Sequence, residues 1–171
     1  MSFFSRLLGI AREDESDVSA LWRRIVAVAR ERAWYADCGV ADSVPGRFDA
    51  ITTVLSLALL RMEGNREMAA ASVRLTELFV EDMDGQLREA GIGDMVVGKH
   101  IGKLMSAMGG RLGAYREALA QEGNAALEAA LVRNVTLVDG ADSAALASRV
   151  RALAARLAAA DDAALLRGDL A

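Results

Sequence analysis

The residues that could do chemistry in this chain are few, and most fail at one position. Gly93-Asp94-Met95-Val96-Val97-Gly98-Lys99-His100 matches the first seven positions of a phosphate-binding loop. The eighth position is His100, where a Ser or Thr hydroxyl would hold magnesium. The preceding Leu87-Arg88-Glu89-Ala90 reads as helix, whereas the motif needs a strand, so the segment is expected to be a capped turn. Glu81-Asp82-Met83-Asp84-Gly85 gathers acids, but a calcium loop counted from Asp82 would need Gly at its sixth position and Glu at its twelfth. Leu87 and Gly93 stand there, so no metal is expected. His100 lies near the apolar stripe of its helix without a Ser or Cys at partnering distance in sequence. No nucleophile, base and orienter assemble from motifs, and the expectation is no catalytic residue, no cofactor and no enzyme. One cysteine, Cys38, with one histidine cannot build a Cys/His zinc site or an internal disulfide. Cys38 is expected to be a small buried apolar residue in a reducing compartment.

Helical phase singles out two charges. At about 100° per residue, Asp82 projects roughly 20° from Leu75, and Arg111 roughly 20° from Leu104 if that helix continues through Gly109-Gly110. Both are expected to point inward. Unpaired buried charge is costly, so they are expected to pair across the two helices or to mark a polar groove.

The elements that must position these residues are helices. Of 171 residues, 53% are hydrophobic and 26% charged, a globular balance that argues against disorder. The single proline is Pro45, which leaves long stretches free of the strongest helix breaker. Ser16 and Asp17 are placed to cap a first helix running towards Tyr35, and Asp37 to Gly46 then interrupts it. A second helix is predicted from near Arg47 to Glu63-Gly64, with Phe48, Ile51, Leu55, Ala58, Leu59 and Met62 on one face. Asn65 caps a third, closed by Gly91, and Asp94 a fourth that can kink at Gly109-Gly110. Asn124 caps a short helix to about Arg133. From Asp142 the chain is alanine-rich, and Leu146, Val150, Leu153 and Leu157 predict one or two C-terminal helices that pack on the bundle or on a partner. Val135 to Val138 is the only strand-like stretch. The fold class is therefore all-α: a single-domain bundle of about six to seven helices. It divides into an N-terminal apolar segment (1–15), a helical domain (16–138) and an Ala-rich extension (139–171).

The net charge of −4 with interspersed signs leaves no Lys/Arg block for a phosphate backbone, so direct nucleic-acid binding is not expected. No run of eighteen apolar residues exists. Even Ile51 to Leu60 carries Thr52, Thr53 and Ser56 and stops at Arg61, so no transmembrane segment is predicted. Phe3, Phe4, Leu7, Leu8 and Ile10 do not form a cleaved signal. They are expected either to dock on the core or to hold the protein loosely at a membrane face.

A family resemblance rests on Trp34-Tyr35, Val44-Pro45-Gly46-Arg47-Phe48-Asp49, Leu57 to Glu63, and Phe79-Val80-Glu81-Asp82-Met83-Asp84. It continues in Leu87-Arg88-Glu89-Ala90-Gly91-Ile92-Gly93-Asp94, Val97-Gly98-Lys99, Gly110-Arg111-Leu112, Ala114-Tyr115 and Arg133-Asn134. In order and spacing, over roughly Ala33 to Val135, these resemble the ubiquinol-cytochrome c chaperone domain. The resemblance implies a helical assembly factor for the cytochrome bc1 complex that associates with newly made cytochrome b before its haems and partner subunits are in place. In mitochondrial relatives it implies a small helper protein and work near the ribosomal exit. The implied location here is cytoplasmic, or peripheral at the inner face of the cytoplasmic membrane. Such work needs surface more than chemistry. The turn between the third and fourth helices, with Asp84, Arg88, Glu89, Gly91, Gly93, Asp94 and Lys99, is the expected partner-binding patch. The competing readings are a generic helical scaffold or a small-molecule enzyme with no motif in view. A broad apolar groove would favour the chaperone, and a deep pocket with perturbed titratable groups the enzyme.

Overall fold

The computed structural model describes residues 18–89, 91 and 94–169, apart from the side chains of Asp94 and Met95. The N-terminal apolar cluster, Ser16, Asp17 and Gly93 lie outside the described residues. The chain builds helices α1 (residues 18–29), α2 (Arg32–Ala36), α3 (Val44–Met62) and α4 (Ala69–Glu89). These are followed by α5 (Asp94–Leu119), α6 (Ala125–Asn134), α7 (Ser143–Ala159) and α8 (Asp162–Arg167). Among the described residues there is no strand, only an isolated antiparallel bridge between Val40 and Leu137.

Helix α3 is the axis. Its Ser43 cap accepts a hydrogen bond from the Gly46 N–H at 3.3 Å, and Pro45 sits in the first turn, where a missing N–H costs nothing. The helix therefore begins at Val44, three residues earlier than the expected Arg47, with the proline inside its first turn. From Asp49 to Leu59 every residue is buried, because α3 is covered on all sides. It packs on α5 and α7, and α6 bridges those two, so the four helices close a ring. Helix α4 lies outside the ring on α5 and α3. Its Phe79 meets Trp22 of α1 edge-on at 6.1 Å and Phe48 of α3 at 6.3 Å, which joins three helices through aromatic contacts.

The first predicted helix is two. It breaks at Arg30, and the short α2 turns back so that Trp34 Nε1 donates to the Val28 carbonyl (2.7 Å) and the Tyr35 hydroxyl to that of Ala29 (2.9 Å). These bonds satisfy the carbonyls left open at the end of α1. Helix α5 runs unbroken through Gly109-Gly110. Asn124 stands at the start of α6 without capping it. Its amide instead donates to Ser148 Oγ at 3.0 Å and its carbonyl oxygen accepts from Arg151 Nε at 2.8 Å. Arg151 also reaches the Gly123 carbonyl (2.5 Å) and those of Leu119 (3.3 Å) and Ala118 (3.4 Å), placing a cation on the negative end of α5.

The alanine-rich C-terminus belongs to the same core. Leu146, Val150, Leu153 and Leu157 of α7 are all buried in it. Arg61 at the end of α3 bonds the carbonyls of Leu157 (3.0 Å) and Ala160 (2.8 Å) and the Asp162 carboxylate (2.9 Å). That tie fixes α7 and α8 to the axis of the bundle.

Candidate partner-binding site

Of the two inward charges expected from helical phase, one is buried. Arg111 is 8% exposed, in the middle of the face that α5 presents to the core between Met108 and Tyr115. Its partner is Asp49 of α3 and not Asp82: Arg111 Nη2 donates to Asp49 Oδ1 and Nη1 to Thr52 Oγ1. The Asp82–Arg111 pair is thus corrected. The buried face of α4 is Leu75, Phe79 and Met83, centred on Phe79, and Asp82 lies about 60° off that centre. It is half-buried and accepts from Gln86 Nε2, one turn on, at 3.1 Å.

Asp49 anchors a polar layer between helices. Its Oδ2 accepts from the Thr136 N–H (2.9 Å) and hydroxyl (2.6 Å), which draws the segment after α6 onto the start of α3. That segment is held from the other side by Ala41 N–H to the Thr136 carbonyl and Val138 N–H to that of Gly39, both 2.9 Å. Gly46 is required here, since a Cβ at this position would lie 2.0 Å from the Ala41 carbonyl oxygen. One turn further into the core, Thr53 Oγ1 and the Tyr115 hydroxyl share a hydrogen bond at 3.2 Å. Burial pushes the Tyr115 phenol above its ordinary pKa, against the opposing effect of the hydrogen bond shared with Thr53.

Beside this layer opens a cavity of about 360 Å³. Pro45, Phe48, Asp49, Arg111, Arg133, Asn134, Val135 and Thr136 line it. Six of these belong to the stretches on which the family resemblance rests, brought together from three separate parts of the chain. Asp49 carried a signal of its own: it is the one charged residue between Phe48 and Leu60, the most apolar stretch of the chain. An acid there needs a partner.

A second concavity, about 310 Å³, runs between α4 and α5 over α3. Its walls are mostly apolar, from Leu59, Leu60, Met105, Met108 and Leu112, with the hydroxyls of Ser72 and Thr76 on α4. Arg116 and Glu63 close one end as a bidentate pair, both contacts at 2.7 Å. The guanidinium holds the Glu63 carboxyl below the ordinary carboxylate range.

The patch expected at the α4–α5 turn is described in part. Asp84 and Arg88 pair one helical turn apart at 2.6 Å, Glu89 and Lys99 are exposed, and Gly91 takes φ +81° as the turn requires. Asp94 is the first residue of α5. Glu81, Asp82 and Asp84 are all inside α4, so they form no calcium loop. His100 is exposed, and its Nδ1 lies 2.9 Å from the Val96 carbonyl, which calls for the proton on that nitrogen. Among the described residues no cluster of His, Cys, Asp and Glu could hold a metal ion, and no helix is long and apolar enough to cross a membrane. Cys38 is buried at 4% exposure, and burial pushes its thiol pKa up.

These features define an all-helical bundle whose concave surfaces lie on the outside of a closed core. The chain belongs to the ubiquinol-cytochrome C chaperone family, whose model matches residues 36–171 and so takes in the C-terminal region as well. The crystal structure of the Cbp3 homolog from Brucella abortus is 34% identical to it, with a TM-score of 0.82 over 98% of this chain and 94% of that one. No curated protein matches the sequence.

Proposed function

We propose that this chain is a non-enzymatic chaperone that binds newly made cytochrome b while the cytochrome bc1 complex is assembled, in the cytoplasm or at the inner face of the cytoplasmic membrane. The observation that carries the reading is the family match over residues 36–171. The groove between α4 and α5 supports it. Met105 and Met108 give that groove unbranched, polarizable walls that adapt to an apolar helix. Val73 of α4, 61% exposed, adds apolar surface on the outside of the same helix. An integral membrane client exposes such helix faces before its own partners cover them. Asp84, Arg88, Glu89, Gly91, Gly93, Asp94 and Lys99, at the turn joining the two groove helices, form the charged patch that orients the client.

The test has two arms. Removing the protein is expected to lower assembled bc1 complex on native gels while cytochrome b transcript stays constant. Arg88→Glu with Lys99→Glu is expected to weaken capture of cytochrome b from membranes by a tagged copy without a change in melting temperature. Normal bc1 levels in the deletion strain would sink the assembly role, and wild-type capture by the folded double variant would move the contact away from the turn.

A further inference from the structure

We propose that the cavity between the start of α3, the middle of α5 and the segment after α6 is a recognition site for a carboxylate presented by a partner polypeptide, with Arg111 and Arg133 as its ligands. The proposal rests on a count of donors and acceptors. A guanidinium carries five N–H donors, and Arg111 spends two of them, on Asp49 and Thr52, which leaves three. The side chain is nine-tenths buried, and the cavity it lines is where those donors can meet an acceptor. Asp49 has room for at most one more, because Oδ1 already accepts from Arg111 and Oδ2 accepts from both the N–H and the hydroxyl of Thr136. The Asn134 amide donates to the Ala130 carbonyl. Arg133, at the cavity mouth, is exposed and its side chain has no hydrogen-bond or ion-pair partner among the described residues. Acceptors remain on Asp49 Oδ1 and the Asn134 side-chain oxygen, but the open N–H groups of Arg111 and Arg133 outnumber them.

Charge points the same way. Asp49 and Arg111 neutralise each other, Arg47 nearby is paired with Asp42 at 2.7 Å, and Arg133 leaves the cavity one positive charge in surplus. The Phe48 ring centroid lies 5.9 Å from the Arg111 guanidinium carbon, within cation–π range. Pro45, Phe48 and Val135 supply apolar wall for the methylenes behind a carboxylate. At about 360 Å³ the cavity is at the small end of ligand pockets, which run from about 300 to 1,000 Å³, and suits one side chain or a chain end better than a cofactor. A planar guanidinium is suited to planar two-oxygen acceptors, which selects a carboxylate over a carbonyl.

The test uses the purified full chain, with the Arg111 Nε–H and the Thr136 amide followed by NMR at constant ionic strength. The probes are acetate, the peptide Ac-Ala-Glu-Ala-amide, its Gln counterpart, and Ac-Ala-Ala-Ala with a free C-terminus. Saturable shifts are expected with one or both peptide acids, at least tenfold tighter than with acetate and absent with the Gln peptide. The stronger of the two acids tells a side chain from a chain end. Arg133→Gln is expected to weaken binding about tenfold, and Arg156→Gln on α7 to leave it unchanged. No saturable shift, an equal response to the Gln peptide, or full affinity in Arg133→Gln would overturn the site. Acetate binding as tightly as the peptides would overturn the polypeptide as its source. None of these readouts depends on bc1 levels, so the site and the assembly role fail separately.

Discussion

Arg111 of α5 and Asp49 of α3, 62 positions apart in sequence, form an ion pair in which each side chain is about one-tenth exposed. The pair sits where α3, α5 and the segment after α6 meet, so it couples three parts of the chain that nothing local holds together.

Removing one partner of that pair leaves the other charged in a poorly solvated place. Asp49→Ala is expected to cost about 3–5 kcal/mol in urea unfolding, and Asp49→Leu with Arg111→Met to recover part of it. Asp82→Ala, which loses one bond to Gln86 on a half-buried face, is expected to stay within about 0.5 kcal/mol of wild type. A larger loss at Asp82 than at Asp49 would reverse the assignment.

Two glycine substitutions should have opposite signs. Gly46→Ala places a methyl 2.0 Å from the Ala41 carbonyl oxygen, so the loop must move and stability should fall by about 1–3 kcal/mol. Gly102→Ala, on an exposed turn of α5 with nothing within 4 Å of the new Cβ, should raise it by about 0.5–1 kcal/mol through helix propensity alone. Thermal melts of the two variants decide the matter, and a stable Gly46→Ala would show that the approach to Ala41 is soft.

Alkaline pH should destabilise the fold in two stages. Burial raises the Cys38 thiol pKa, with Asp37 and Asp142 adding to it against Arg149, and burial likewise raises Tyr115 against its bond to Thr53. An unfolded thiol loses its proton near pH ~8.5 and an unfolded phenol near pH ~10, while the folded groups keep theirs. The folded state then binds more protons, so stability, fully present below the unfolded pKa, falls as pH rises through the folded one. Cys38→Ala should flatten the first stage in urea titrations between pH 8 and 11, and Tyr115→Phe should weaken the second, to which Tyr35 also contributes because burial raises its phenol too. Stability that rises over that range would contradict both.

What the sequence by itself determined is the helical grammar and the inward direction of Arg111. Apolar spacing placed α3 to α7, Gly91 marked the turn after α4, and the phase of Arg111 against Leu104 put a cation in the core because α5 runs straight through its glycines. Local pattern also suggested an inward Asp82, where it failed. Phase says which way a side chain points from its own helix, but the arc that is covered depends on the neighbours, and on α4 that arc is centred on Phe79. Tertiary structure alone decided that Asp49 receives Arg111 and Thr136, since all three meet only once the ring of α3, α5, α6 and α7 has closed. It likewise gave Asn124 to Ser148 and Arg151 in place of its own helix, and brought α7 into the core. A long-range partner is chosen by which faces the closed bundle brings within about 3 Å, and no local spacing carries that distance.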